Sequence, residues 1–145
     1  MPKLDPARVT AVSRVSSNGL DLAKIEIKFR DDDEIVRLAV SNNGNALAFA
    51  SERLQKNYDI VSTAVIESPD AIIHAQLNLN SERQLSLLLD TIKRADCDLI
   101  DKLDPQYLKN RCVLLTAIYQ YPLLCLRFSE DDSAFSKSTK FRQFV

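Results

Sequence analysis

Two glycines in 145 residues constrain this chain most, because both occur in the same dipeptide, as Asn18-Gly19 and Asn43-Gly44, and the two copies are offset by 25. Average usage would supply roughly ten, so turn-rich architectures and glycine-rich phosphate loops are excluded. Sliding the sequence on itself by 25 places Ile35, Val36, Ala39, Val40, Ala46 and Ala50 on Ile60, Val61, Ala64, Val65, Ala71 and Ala75, and all six pairs are identities. The same phase continues at lower similarity. Ile35 and Val40, Ile60 and Val65, Leu87 and Ile92, and Val113 and Ile118 share one internal spacing, with steps of 25, 27 and 26. Upstream, Ala11, Val15 and Leu22 precede Val36, Val40 and Leu47 by 25. Self-similarity of this period marks a repeat array.

Within a unit, positions 35, 36, 39, 40 and then 46, 47, 50, 54 follow helical spacing twice. Each unit is expected to be a hairpin of two helices, about nine to eleven residues apiece, too short to stand alone and obliged to stack. Asn-Gly is expected to end the first helix in the left-handed conformation. In the third unit Ser68-Pro69-Asp70 replaces it with a helix-start signal. Lys24 to Phe29 alternates like a strand, but Leu22, Ile25 and Phe29 also fit a helical face, and the repeat requires a helix there. With 46% apolar residues the chain can bury a core without staples. The expected fold is all-α: an α-solenoid-like stack of about five short helical hairpins of roughly 25 residues each. It occupies residues 1–130 as a single domain, and 131–145 form a polar C-terminal tail, flexible or serving as a translocation signal.

Asp33-Glu34-Ile35-Val36, Ala39-Val40, Asn43-Gly44, Ala46-Leu47, Ala50-Ser51 and Leu54 resemble the repeat called domain of unknown function 4116. The likeness is good over about residues 30–80. Beyond that stretch only the apolar anchors persist, and within it Pro69 stands for the glycine and Gln76 for the serine. The resemblance implies a helical repeat with a binding role and no catalytic residues. It also implies the setting of intracellular bacteria and their secreted effectors, hence a cytoplasmic protein, translocated into a host cell. The acidic and hydroxylated tail from Glu130 through Thr139 to Val145 is similar to sequences read by effector translocation systems.

Charge bounds the partners. Lys and Arg number 19 against 20 Asp and Glu, a net charge of -1, so no nucleic-acid footprint is expected. Nor is a membrane span expected, since no run approaches the roughly 18 apolar residues required. The N-terminal residues lack the apolar run of a signal peptide. Cys97, Cys112 and Cys125 lie 15 and 13 apart with one histidine, His74, in the whole chain, so they read as reduced thiols and no metal or other cofactor is expected.

No catalytic residue is assigned. His74 aligns with Phe49 and Lys24, so its position is not reserved for a special side chain. Asp96 and Asp98 are poor neighbours for a nucleophilic Cys97, and Cys125 reads as a core residue. The run Asp31-Asp32-Asp33-Glu34 lacks the glycine and alternation of a calcium loop and is expected to cap a helix starting near Asp33. Binding residues are expected on two surfaces. Arg37, Asn42, Arg53 and Tyr58 are expected to be exposed in the central units. Tyr107, Arg111, Tyr119 and Tyr121, with Arg127, gather where the repeat has decayed. The tyrosines have two open roles there, closing the array or forming a partner site. The functional expectation is a non-enzymatic module that binds another protein, as an effector or a regulator of one, with a homodimer as a further form. The alternative is a cysteine-dependent enzyme in the degenerate C-terminal half.

Overall fold

The structure, a computed structural model, describes residues 5–122. The tail 131–145 and the residues Cys125, Arg127 and Glu130 lie outside the described residues. Among those described, the chain is all-helical, with no strand. Its elements are α1 (Pro6–Ser17), 3-10 segments Gly19–Lys24 and Ile27–Asp31, α2 (Asp33–Asn42), a 3-10 segment Gly44–Phe49, α3 (Glu52–Gln55), α4 (Tyr58–Glu67) and a 3-10 segment Pro69–His74. There follow α5 (Glu82–Arg94), α6 (Asp98–Lys102), α7 (Pro105–Leu108) and α8 (Arg111–Gln120).

The long helices repeat in phase. Their closing residues Asn18, Asn43, Ser68, Ala95 and Tyr121 each donate the backbone N–H to the carbonyl four positions back, at Arg14, Ala39, Ala64, Thr91 and Ala117. These carbonyls step by 25, 25, 27 and 26, the same spacing as the apolar anchors. Ile35, Val36, Ala39 and Val40 in α2, and Ile60, Val61, Ala64 and Val65 in α4, are buried. In α1 the counterparts of Ile35 and Ala39 are Thr10 and Arg14, both exposed, so the side of α1 away from α2 is polar. α1, α2, α4 and α8 start from side-chain caps, with Asp5, Asp32, Asn57 and Asn110 accepting from N–H groups of the first turn, whereas Ser81 before α5 makes no such bond.

Two expectations are corrected. The second arm of each of the first three units is a six-residue 3-10 segment, not an α-helix of the expected length. Lys24 to Phe29 falls across two such segments, helical as expected but 3-10 in kind. Neither Asn-Gly pair adopts the left-handed conformation: no residue of the described chain has positive φ, and Asn18 and Asn43 are extended, at φ -151° and -153°. Each asparagine instead both closes the α-helix before it and caps the 3-10 segment after it, its side chain accepting from Leu20 N–H or Asn45 N–H.

The glycines serve a different purpose. A Cβ at Gly19 would lie within 3.0 Å of the Ala39 carbonyl oxygen, and one at Gly44 within 3.0 Å of the Ala64 carbonyl oxygen. Each glycine therefore seats its unit on the end of the next unit's helix by direct backbone approach. Accordingly α1 packs on α2 and α2 on α4, while the 3-10 segments starting at Gly19, Gly44 and Pro69 pack on one another in a second row. A main-chain bond links successive units at the same place: Ser51 N–H donates to Arg30 O at 2.9 Å, and Gln76 N–H to Gln55 O at 3.0 Å. After Pro69 the pattern changes. The helices α5 and α8 pack against each other, and α5 and α6 meet the 3-10 segment Pro69–His74, α5 also meeting α4.

Candidate functional site

The residues singled out from sequence fall in three places. On the central units, Arg37 is exposed and Asn42 is exposed but engaged. The Asn42 carboxamide accepts from the buried Gly19 N–H at 2.7 Å and donates to Ser16 O at 3.2 Å, so it ties α2 to the unit before it. Arg53 is exposed yet paired, reaching Asp31 at 3.0 Å and Asp33 at 3.4 Å. Tyr58 is half-buried beneath the Arg83 guanidinium, 4.5 Å from its ring centroid.

The acidic run acts as a clasp. Asp32 accepts from Glu34 N–H and Ile35 N–H, which bears out the capping expectation for a helix starting at Asp33. Arg8 of α1 pairs with Asp32 at 3.2 Å and also with Glu34, and Ser51 bonds Asp31. The Ser51 hydroxyl and then the Arg53 guanidinium hold the Asp31 carboxyl below its ordinary range. Burial alone would raise Asp32, but Arg8 and the α2 N–H groups outweigh it and hold that carboxyl low as well.

In the C-terminal half the tyrosines divide. Tyr119 is 88% exposed and Arg111 is exposed. Tyr107 and Tyr121 are half-buried, and their hydroxyls serve the backbone rather than water. The Tyr107 hydroxyl donates to Ala75 O at 3.1 Å and accepts from Leu77 N–H at 3.0 Å. The Tyr121 hydroxyl donates to Ile92 O at 3.1 Å and meets Ala95 O, closing the end of α5, and burial with Asp96 nearby pushes its phenol up. Tyr107 takes over a job that long side chains perform in the first two units. Arg30 donates to Ala23 O at 2.7 Å, and its Nε stays buried without a partner. Gln55, at the equivalent place in the next unit, donates to Leu47 O and Ala50 O, both at 3.2 Å.

His74 is half-buried, and burial lowers its pKa. Cys97 and Cys112 are exposed free thiols, and the Cys97 Sγ lies 3.7 Å from an Asp98 carboxylate oxygen. Among the described residues no group of three or more His, Cys, Asp or Glu is placed to hold a metal ion, and no helix is long and apolar enough to cross a membrane.

What sequence reading missed is a polar cleft of about 750 Å³. One wall is Gln76, Leu77 and Asn78, the other is Asp104, Gln106 and Tyr107, with Lys56 and Gln84 completing it. Four carboxamides, one cation and one anion thus share a concavity of ligand-binding size. Part of this lining is internally bonded: Gln84 Oε1 accepts from Asn78 N–H, and Gln76 Nε2 donates to Gln55 Oε1 at 3.3 Å. The available signal was the step of 27 in place of 25 after the third unit. A second, apolar depression of about 480 Å³ lies along α8 at Leu115, Ile118 and Tyr119.

The comparisons agree with the repeated part of this architecture. A family model described as Domain of unknown function (DUF4116) matches residues 13–55 and again residues 32–79. The shared stretch, 32–55, is the second unit, so each match takes in one neighbour on either side of it. Residues 13–79 are therefore similar to this domain. No match was found among the curated proteins or the solved structures.

Proposed function

We propose that this chain is a non-enzymatic, α-solenoid-like module of about five stacked units that binds another protein. The observation that carries the reading is the cleft where stacking regularity ends, lined by side chains able both to donate and to accept hydrogen bonds. Repeat stacks present extended surfaces, and a change of register along one gives a distinct recognition point. The exposed Leu38, Ile66 and Tyr119 add surface that the fold leaves open to solvent. The effector role, the cytoplasmic setting and translocation into a host cell are part of the proposal and rest on the family resemblance, the cysteines read as reduced thiols and the tail sequence.

The test is affinity capture with the whole chain from a host-cell lysate and, in parallel, from a bacterial lysate. A stoichiometric partner retained by wild type and by Cys97→Ser/Cys112→Ser, but released by charge reversal at Arg37 or by Gln106→Arg, is the expected result. Absence of any stoichiometric partner from both lysates, or a partner lost only on removing the thiols, would count against it.

A further inference from the structure

We infer that the cleft receives an extended segment of another polypeptide and holds it through its main chain. This rests on the protein-binding reading above and specifies what is bound and how. One inter-unit bond is made twice and then is not. Unit two is tied to unit one by Ser51 N–H to Arg30 O, and unit three to unit two by Gln76 N–H to Gln55 O. The next carbonyl in this series belongs to Asn80, which follows Gln55 by the same step as Gln55 follows Arg30. No bond from the following segment reaches it among the described residues. The nearest counterpart donor, Leu103 N–H, is taken up within α6 by Leu99 O at 3.0 Å. Residues adjoining Asn80 and Leu103 in sequence line the cleft, whose two walls are bridged at one point by the Tyr107 hydroxyl through Ala75 O and Leu77 N–H.

The wall chemistry says what suits that space. The stretch 75–78 is not helical, and Ala75 at its start has extended dihedrals, φ -81° and ψ 140°. Its N–H groups at Gln76, Leu77 and Asn78 are consumed by Gln55 O, the Tyr107 hydroxyl and Gln84. The carbonyls of Gln76 and Leu77 accept no bond from any described residue. A ligand must therefore bring donors to this wall, and a polypeptide backbone brings one per residue with an acceptor beside it. Gln106 on the far wall is exposed and supplies both kinds of partner. Lys56 is paired with Glu52 at 3.9 Å and Asp104 is an anion, which disfavours a nucleic acid or a phosphorylated ligand. The carboxamides disfavour a lipid chain, because a hydrocarbon would strip them of water and return no hydrogen bond.

The experiment selects short peptides from a random displayed library on the full chain and measures one recovered binder by fluorescence anisotropy. Gln76→Ala and Gln106→Ala together remove groups from both walls, and the expected loss is about tenfold in Kd with an unchanged circular dichroism melt. N-methylation of the binder's central amides is expected to weaken it at least as much as any single alanine replacement of its side chains. Binders indifferent to both wall substitutions would overturn the cleft as receptor while leaving protein binding intact. Binders sensitive to the walls but indifferent to N-methylation would overturn main-chain recognition. A library yielding no binder would overturn the inference, and the lysate capture would then decide separately whether the protein-binding reading survives.

Discussion

Gly44→Ala tests whether the units are seated by backbone approach. The added Cβ would fall within 3.0 Å of both the Ala64 carbonyl oxygen and the Ser68 Cβ. Neither can swing aside, since one is α4 backbone and the other is the first side-chain atom of the residue that closes α4. Gly44 has no positive φ, so alanine meets no backbone strain of its own. Reduced freedom of the unfolded chain would by itself stabilise the variant by roughly 0.4–1 kcal/mol. Against that, α4 must retreat where Ile60, Ala64 and Val65 are fully buried, and overpacking of this kind costs about 1–3 kcal/mol. The expected net loss is roughly 1–2 kcal/mol, which lowers Tm by about 3–7 °C for a chain of this size. Urea unfolding followed by far-ultraviolet circular dichroism reads the change, with the m value unaltered. Pro69→Ala is the control, because the third unit already carries a side chain at this place; its loss should stay within about 1 kcal/mol. A Gly44→Ala protein as stable as wild type, or more stable, would refute the seating argument.

Asn42→Ala removes the acceptor for the buried Gly19 N–H and is expected to cost about 1–3 kcal/mol, with faster hydrogen exchange at that amide as the direct readout. Tyr107→Phe leaves Leu77 N–H and Ala75 O without their shared partner, and calorimetry is expected to show a loss of about 1–2 kcal/mol with no change in helix content. Asp31 and Asp32 are held low in the folded state, so their stabilisation is complete above the unfolded carboxyl value near 4 and disappears as pH falls through the lower folded values. The pair Asp31→Asn/Asp32→Asn should flatten the acid limb of a Tm-against-pH curve, while asparagine preserves the cap at 32. His74 is shifted the same way by burial; the neutral ring's contribution is present above about pH 6.5 and lost as pH falls below it, and His74→Phe should remove that part of the slope.

The packing of the first three units on one another was legible because its signal is local and apolar. Ile35 with Ile60 and Ala39 with Ala64 declare the same buried face twice. The 3-10 character of Gly44–Phe49 was not legible, since a six-residue segment is too short to separate a period of about 3.0 from one of about 3.6. The Asn-Gly turn was misread because its cause is not local. The glycine answers to Ala64, in the helix of the next unit, rather than to its own φ. The same remoteness in sequence hid the roles of Asn42 and Tyr107, whose partners Gly19 and Leu77 belong to other units. Nothing in the composition of residues 76–78 and 104–107 marks them as facing walls. Their relation is set by the Tyr107 hydroxyl, which reaches Leu77 N–H and Ala75 O across a long stretch of sequence.

The seam made at Gly19 and Gly44 also bears on how such a chain can change length. Each seam consists of backbone against backbone, joined by a main-chain bond, so it does not depend on which side chains a unit carries elsewhere. A second copy of the segment from Gly44 to Ser68, inserted after Ser68, would set the copied glycine against the copied Ala64 carbonyl, while the original Gly44 keeps the original Ala64. Duplication in steps of one unit would thus lengthen the array without exposing apolar surface at the joint, and the array's span becomes a quantity that a genome can adjust by copying rather than by redesign.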